Sequence, residues 1–100
     1  MIFLHSAAYV YIMANTRRTV VYIGSTTNIR KRISDHRNLI GSGFTAKYRC
    51  RHLVYLETFD RITEAAKREK QLKNWRRNWK NDLITSQNPG WEDLFPKLFG

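Results

Sequence analysis

Two short β-rich runs lie near the start of the chain, and a polar segment separates them. Residues 8–13 read AYVYIM and residues 19–24 read TVVYIG, and both runs are rich in the residues that favour strands. The intervening residues 15–18, Asn-Thr-Arg-Arg, are polar and can turn. The sequence therefore predicts an antiparallel β-hairpin, which restricts the fold to one built on a small sheet.

Period-two alternation assigns the side chains of this hairpin to two faces. The first face is aliphatic and consists of Val10, Ile12, Val21 and Ile23. The second carries phenols, namely Tyr9, Tyr11 and Tyr22. We expect the aliphatic face to pack in a core and the second face to present its tyrosines.

Three further segments follow the hairpin. Residues 25–28 offer N-caps for a helix over 29–39, and residues 52–59 (HLVYLETF) predict a third strand. An amphipathic helix is predicted from Thr63 to about Asp82, with a bend or break near Asn74. On that helix, Trp75 and Trp79 are predicted to be core residues.

The remaining residues connect these elements. Residues 41–43 (Gly-Ser-Gly) end the first helix and open a basic loop over 44–51, and Asn-Pro-Gly at 88–90 predicts a turn. Residues 91–100 form a tail, either docked by its aromatic side chains or flexible. The expected fold class is α+β, with a small three-stranded antiparallel sheet flanked by helices in the order β-β-α-β-α-α, as a single domain over 1–100.

The chain has a large excess of positive charge. Lys and Arg number 18 against 8 Asp and Glu, for a formal net charge of +10. A small protein this basic repels itself, so a polyanionic partner is expected, with nucleic acid favoured over a membrane surface.

The cysteine content and the absence of long apolar runs bear on the compartment. Cys50 is the single cysteine, which excludes an intramolecular disulfide and a multi-thiolate zinc site. Residues 1–8 lack the basic lead of a signal peptide, and no run approaches membrane-spanning length. The expectation is a cytoplasmic protein with no membrane partner. His5 and His52 have no partners spaced for zinc.

Glu69 occupies an unusual position on the long helix, between Ala65 and Leu72 on the face that should be apolar. A carboxylate beside a buried stripe is costly unless a cation or several donors meet it. In so basic a chain, the position of this carboxylate suggests a metal ion held near a polyanion, as in a nuclease. The simpler alternative is a surface carboxylate paired with Lys73 at i+4.

An ordered set of motifs resembles the GIY-YIG nuclease superfamily. The set comprises Tyr9-Val10-Tyr11, Tyr22-Ile23-Gly24, residues 28–36, residues 68–73 and Asn88-Pro89. The stretch 65–94 is especially similar to the small stand-alone bacterial, excision-nuclease-subunit-like members. Tyr9 departs from the first motif, where a glycine is usual.

The resemblance implies a role for each matching residue. Tyr11 would be the general base and Tyr22 a phosphate-positioning or proton-handling group. Arg32 would neutralise the scissile phosphate, and His36 would support the tyrosine pair. Glu69 would be the sole protein carboxylate on Mg²⁺ (or Mn²⁺), and Asn88 would steady the site. A metal and Arg32 near Tyr11 would favour its phenolate form.

The predicted function is a divalent-metal-dependent endonuclease acting on DNA in repair, recombination or defence, with a possible protein partner that supplies specificity. The alternatives are a non-catalytic nucleic-acid-binding module and a basic protein associated with RNA or ribosomes. Exposed cations are predicted to contact phosphates. They are Arg30, Lys31, Lys47, Arg49, Lys70, Lys73, Arg76 and Arg77.

Overall fold

The computed structural model describes residues 6–41 and 43–99. Its three strands, β1 (Ala8–Ala14), β2 (Val21–Thr26) and β3 (His52–Phe59), form an antiparallel sheet in the order β2-β1-β3. The helices are α1 (Ile29–Arg37), α2 (Gly43–Tyr48), α3 (Ile62–Lys73), α4 (Arg77–Gln87) and α5 (Phe95–Phe99). The α+β prediction of a three-stranded antiparallel sheet flanked by helices is confirmed.

Several sequence expectations concern residues outside the described ranges. The first five residues of the segment judged not to be a signal peptide, including His5, lie there. So do Ser42, in the Gly-Ser-Gly break, and Gly100, at the end of the tail.

The turn of the hairpin is organised by one side chain, which explains why β2 begins later than predicted. Asn15 Oδ1 accepts hydrogen bonds from the backbone N–H groups of Thr19 and Val20, at 2.8 and 3.0 Å. These amides are therefore unavailable for the sheet, and pairing starts at Val21 opposite Ala14. At the other end, Gly24 does not terminate β2, because the strand continues to Thr26.

Both faces of the sheet are covered, so every residue of the central strand β1 is buried. Beneath α3 and α4, the first face forms a core that includes Val10, Ile12, Ile23, Val54, Ala65, Leu72 and Ile84. This confirms the predicted sorting of side chains. The tyrosine face is not open, however. It packs against α1 and the tail in a second core that includes Tyr9, Tyr11, Met13, Ile29, Ile33 and Leu53, with Leu94, Phe95 and Leu98 packed against it.

The bend or break predicted near Asn74 is a break, and it divides the predicted segment into two helices. α3 ends at Lys73, and α4 begins at Arg77 after three residues without helical structure. The break changes which face of the chain is buried, so Trp75 packs on the core whereas Trp79 is 48% exposed. The core prediction for Trp79 was therefore wrong. The basic loop also differs from expectation, because most of it forms α2.

The tail docks on β3 through backbone groups. Leu94 N–H donates to the Leu53 carbonyl at 2.7 Å, and Asp93 Oδ1 accepts from the amides of Leu53 and Phe95, each at 3.1 Å. Among the residues described, no helix has both the length and the apolar character needed to cross a membrane.

Candidate active site

Gly24 lets the Tyr11 ring lie flat against the edge strand. The two residues are direct partners in the β1–β2 ladder. A Cβ atom on Gly24 would stand 2.5 Å from Tyr11 Cζ and 3.0 Å from Cε1, so the space that a side chain would occupy is filled by the phenol. The glycine of the YIG motif is thus explained by the close approach of the tyrosine from the first motif.

Replacing Gly24 with alanine is expected to lower the free energy of unfolding by about 1–3 kcal/mol, because the buried Tyr11 ring must move. Urea denaturation measures the loss. In a Tyr11→Ala background the ring is absent, so the same substitution should cost much less. Equal costs in the two backgrounds would contradict the contact.

The Tyr11 hydroxyl is hydrogen-bonded to a buried histidine. Tyr11 Oη and His36 Nε2 are 2.9 Å apart, and His36 Nδ1 lies 3.0 Å from Thr45 Oγ1 on α2. His36 reaches this position because it follows Ile29 and Ile33 on the buried face of α1. The Tyr22 ring completes the cluster, with centroids 6.4 Å from Tyr11 and 5.5 Å from His36.

The protein environment keeps this pair neutral. Burial, reinforced by the positive charge of Arg32 and opposed by Asp35, lowers the pKa of His36 to about 4. Burial also raises the pKa of Tyr11 above its usual value, and the Tyr22 and Glu69 charges add to the rise. Arg32 acts in the expected direction by lowering the Tyr11 pKa, but burial outweighs it. Tyr11 therefore keeps its proton near neutral pH, and His36 is uncharged there.

The lowered pKa of His36 predicts a loss of stability in mild acid. Between its ordinary value of about 6.5 and its folded value of about 4, the unfolded chain binds a proton that the folded chain does not. The free energy of unfolding should therefore fall as the pH falls through this window, by on the order of 3 kcal/mol from His36 alone.

Urea denaturation between pH 7 and pH 4.5 tests this expectation. A His36→Gln variant cannot titrate, so its stability should depend less steeply on pH than that of the wild type. Parallel curves for the wild type and His36→Gln would contradict the shift.

Glu69 lies beside the tyrosine cluster, and both of its carboxylate oxygens have partners. Its side chain is 22% exposed, with Oε2 2.6 Å from Lys73 Nζ, and its Oε1 accepts from the Ser25 hydroxyl on β2. Ala65 and Leu72 flank it on the buried face of α3, as predicted. The cation and the donor offset the cost of placing a carboxylate there. Lys73 Nζ also lies 5.8 Å from the centre of the Tyr22 ring.

The donor set around Glu69 fits a hard divalent cation that takes most of its ligands from elsewhere. Within residues 6–41 and 43–99, no three His, Cys, Asp or Glu side chains are grouped to hold a metal. A single carboxylate is nevertheless adequate for Mg²⁺, which keeps several waters and binds substrate phosphates directly. Lys73 would have to release Oε2 for the carboxylate to serve as a ligand.

The structure brings together five of the six predicted catalytic residues. Arg32 lies on the exposed side of α1, within electrostatic range of Tyr11 and His36. Together these residues, with Tyr22 and Glu69, form one group contributed by β1, β2, α1 and α3.

Asn88 is placed differently. Its Nδ2 donates to the carbonyls of Val54 and Glu92, and its Oδ1 accepts from Glu92 N–H. These bonds fasten the end of α4 to β3, and none reaches the tyrosine cluster. A role for Asn88 in steadying the site stays a prediction.

Comparison with known proteins identifies the family. Residues 7–82 match the family model for the GIY-YIG catalytic domain. This chain belongs to the GIY-YIG family. The family assignment made from the motifs is confirmed, and it implies a nuclease fold and ancestry.

Three similar proteins are all described as UPF0213 proteins. A UPF0213 protein of Syntrophus aciditrophicus is 40% identical over 85 residues, covering 84% of this chain and 95% of that protein. A UPF0213 protein of Clostridium perfringens is 39% identical over 80 residues, covering 80% and 85%. The solution NMR structure of a UPF0213 protein from Bacillus halodurans matches with a TM-score of 0.54 and 29% identity, covering 92% of this chain and 96% of that one.

The GIY-YIG site includes contacts that the sequence did not reveal. Ser25 directly follows the YIG motif but was interpreted only as a possible helix cap. The cap of α1 is Asn28, which accepts from Lys31 N–H at 3.3 Å. Thr45 has no signal in the sequence, because its partner His36 is nine residues away on another helix.

The cations predicted to contact phosphates differ in whether their charged groups already have partners in the protein. Lys31 pairs with Asp35 at 2.9 Å, and Arg77 donates to the backbone carbonyls of Thr19 and Arg18 at 3.0 and 3.5 Å. Lys73 is held by Glu69. Three others lie over aromatic rings at 4.9–5.6 Å, namely Arg30 on Phe99, Lys47 on Tyr48 and Arg76 on Trp79. Arg49 and Lys70 are exposed.

Proposed function

We propose that this GIY-YIG domain is a divalent-metal-dependent endonuclease that hydrolyses phosphodiester bonds in DNA. One observation carries the proposal: the buried Tyr11 hydroxyl, bonded to a neutral histidine, lies within range of both Arg32 and Glu69. The net charge of +10 provides the attraction for a polyanion.

The proposed chemistry divides among these side chains. Tyr11 orients the attacking water and takes its proton while passing its own to His36 Nε2, so the phenol need not be ionised beforehand. Arg32 offsets negative charge on the phosphoryl oxygens. Tyr22 positions the phosphate beside Tyr11.

Glu69 would hold Mg²⁺ or Mn²⁺, and the ion would supply stabilisation of the phosphoryl oxygens and of the leaving alkoxide. On arrival of DNA, Lys73 can exchange its carboxylate partner for a phosphate, because both are anions.

A module that only binds nucleic acid is the less favoured alternative. Binding requires exposed cations, which this chain has in excess. It does not require a phenol and an imidazole buried together, nor a carboxylate among the cations.

Cleavage of supercoiled plasmid is the test. The purified protein should nick or cut the plasmid with Mg²⁺ or Mn²⁺ present, and the activity should stop with chelator and coelute with the protein. Labelled RNA of matched length provides the comparison for substrate class. Binding without cleavage under any metal condition would reject the proposal in favour of the binding module.

A further inference from the structure

A row of aromatic rings leads from the buried site to the surface. Tyr22, which contacts Tyr11 and His36, also contacts Phe44 at 5.7 Å between centroids, and the Phe44 and Tyr48 centroids are 4.8 Å apart. Phe44 is 43% exposed and Tyr48 41% exposed. We refer to Tyr22, Phe44 and Tyr48 as the aromatic ledge.

The position of the ledge relative to the site is fixed by the inner side of α2. Thr45, between the two exposed rings in sequence, is fully buried and bonded to His36 Nδ1. The Thr45 carbonyl accepts from Cys50 N–H at 3.0 Å, which closes the end of the helix. The helix that orients His36 therefore also carries Phe44 and Tyr48.

Packing alone does not account for the outer part of the ledge. Phe44 lies against Tyr22, whereas Tyr48 has its ring contact with Phe44 and is still 41% exposed. Ile40 is also exposed, at 57%, and lines a cavity of about 290 Å³ together with Arg32, Asp35 and His36. Large exposed apolar side chains beside a candidate site are characteristic of a ligand-binding surface.

The charges beside the ledge indicate the ligand. Lys47 Nζ lies 5.3 Å from the centre of the Tyr48 ring, and Arg49 is exposed one residue beyond Tyr48. Flat rings interleaved with cations match a chain of bases joined by phosphates. Paired bases in a duplex are stacked on each other, so their faces are not available to these rings. Bases of an unpaired strand are available.

We propose that the aromatic ledge stacks unpaired DNA bases adjoining the bond that is cut, so that the preferred substrate has a single-stranded or unwound segment at the site. The proposal deepens the endonuclease assignment and rests on it. Phe44 and Tyr48 contribute affinity for unpaired bases, while the cations contribute affinity for any DNA backbone.

Equilibrium binding without metal tests the ledge separately from catalysis. Fluorescence anisotropy compares a labelled single strand, the same strand with abasic residues in place of nucleotides, and a duplex. Tyr48→Ala and Phe44→Ala should each weaken binding to the normal single strand roughly 5- to 150-fold. Binding to the abasic strand and the duplex should change less than about two-fold, because the phosphates are unaltered.

Trp79→Ala is the matched control. Like the ledge residues, Trp79 is exposed, at 48%, and it has a cation, Arg76, over its ring. It packs on Trp75, however, and not on the ledge. The Trp79→Ala variant should bind the normal single strand as tightly as the wild type. Tyr48→Phe should also retain affinity, since stacking needs the ring alone. Melting temperatures establish that each variant is folded, and Tyr48, at the outer end of the row, gives the decisive comparison.

The possible outcomes separate the two proposals. Equal losses on normal and abasic strands, or no loss in Tyr48→Ala, would overturn the ledge proposal whatever the cleavage result. A dimer that Tyr48→Ala converts to a monomer would also overturn it and assign the ledge to self-association. Base-dependent binding without metal-dependent cleavage would support stacking of bases on the ledge, but it would reject the endonuclease and with it the placement of the ledge beside a bond that is cut.

Discussion

Replacing Glu69 with glutamine is expected to reduce the rate of plasmid cleavage roughly 10³-fold. The substitution keeps the shape of the side chain and its hydrogen bond with Ser25, but it removes the negative charge that we propose binds the cation. Affinity for DNA should be unchanged or slightly tighter, because a negative charge is lost and Lys73 is released. Single-turnover cleavage and metal-free binding measure the two effects separately.

Glu64→Gln is the matched control for this variant. Glu64 lies on the same helix, is exposed, and its replacement changes the net charge by the same amount. Cleavage by Glu64→Gln should stay within a few-fold of wild type. If both variants lose activity equally, the effect is one of overall charge, and the proposed role of Glu69 fails.

Removing the Tyr11 hydroxyl should have a comparable effect. Tyr11→Phe keeps the ring against Gly24 but removes the hydroxyl that bonds to His36 and that we propose takes the proton of the attacking water, so cleavage should fall by about 10²–10⁴-fold. Stability should fall as well, by about 1–3 kcal/mol, because buried His36 Nε2 loses its partner. The measurement is single-turnover cleavage at saturating DNA, with urea denaturation in parallel.

Tyr9→Phe distinguishes the loss of this hydroxyl from the loss of any buried phenol. Tyr9 is on the same strand and the same side of the sheet and is 2% exposed, but it is not part of the His36 cluster. It should cleave at nearly the wild-type rate. Wild-type cleavage by Tyr11→Phe would exclude the proposed proton transfer.

Much of the fold could be predicted because local pattern and tertiary environment agree. Alternation in the hairpin correctly assigned Val10 and Ile23 to the core beneath α3, and the third strand was predicted with its observed bounds. The covered tyrosine face could not be predicted, since α1 has few apolar residues. Its burial depends on Ile29 and Ile33 acting together with a tail far along the chain.

The sequence could predict which residues belong to the candidate site, but not the contacts between them. Motif order gave Tyr11, Arg32 and Glu69, and the structure places them near one another. The close contact of Tyr11 with Gly24 follows from strand register, which the sequence does not specify. α2 was missed because a helix of six residues has little intrinsic stability and depends on tertiary contacts such as that of Thr45 with His36.

The central strand has a consequence for how this protein can tolerate change. β1 carries Tyr11 on one side and Val10 and Ile12 on the other, all without solvent exposure. The same strand therefore positions the candidate site and holds the main core together. A local unfolding of β1 that displaced Tyr11 would also break the packing of Val10 and Ile12. Natural variation that alters substrate choice should accumulate in the peripheral helices, where the sequence can drift without disturbing that shared segment.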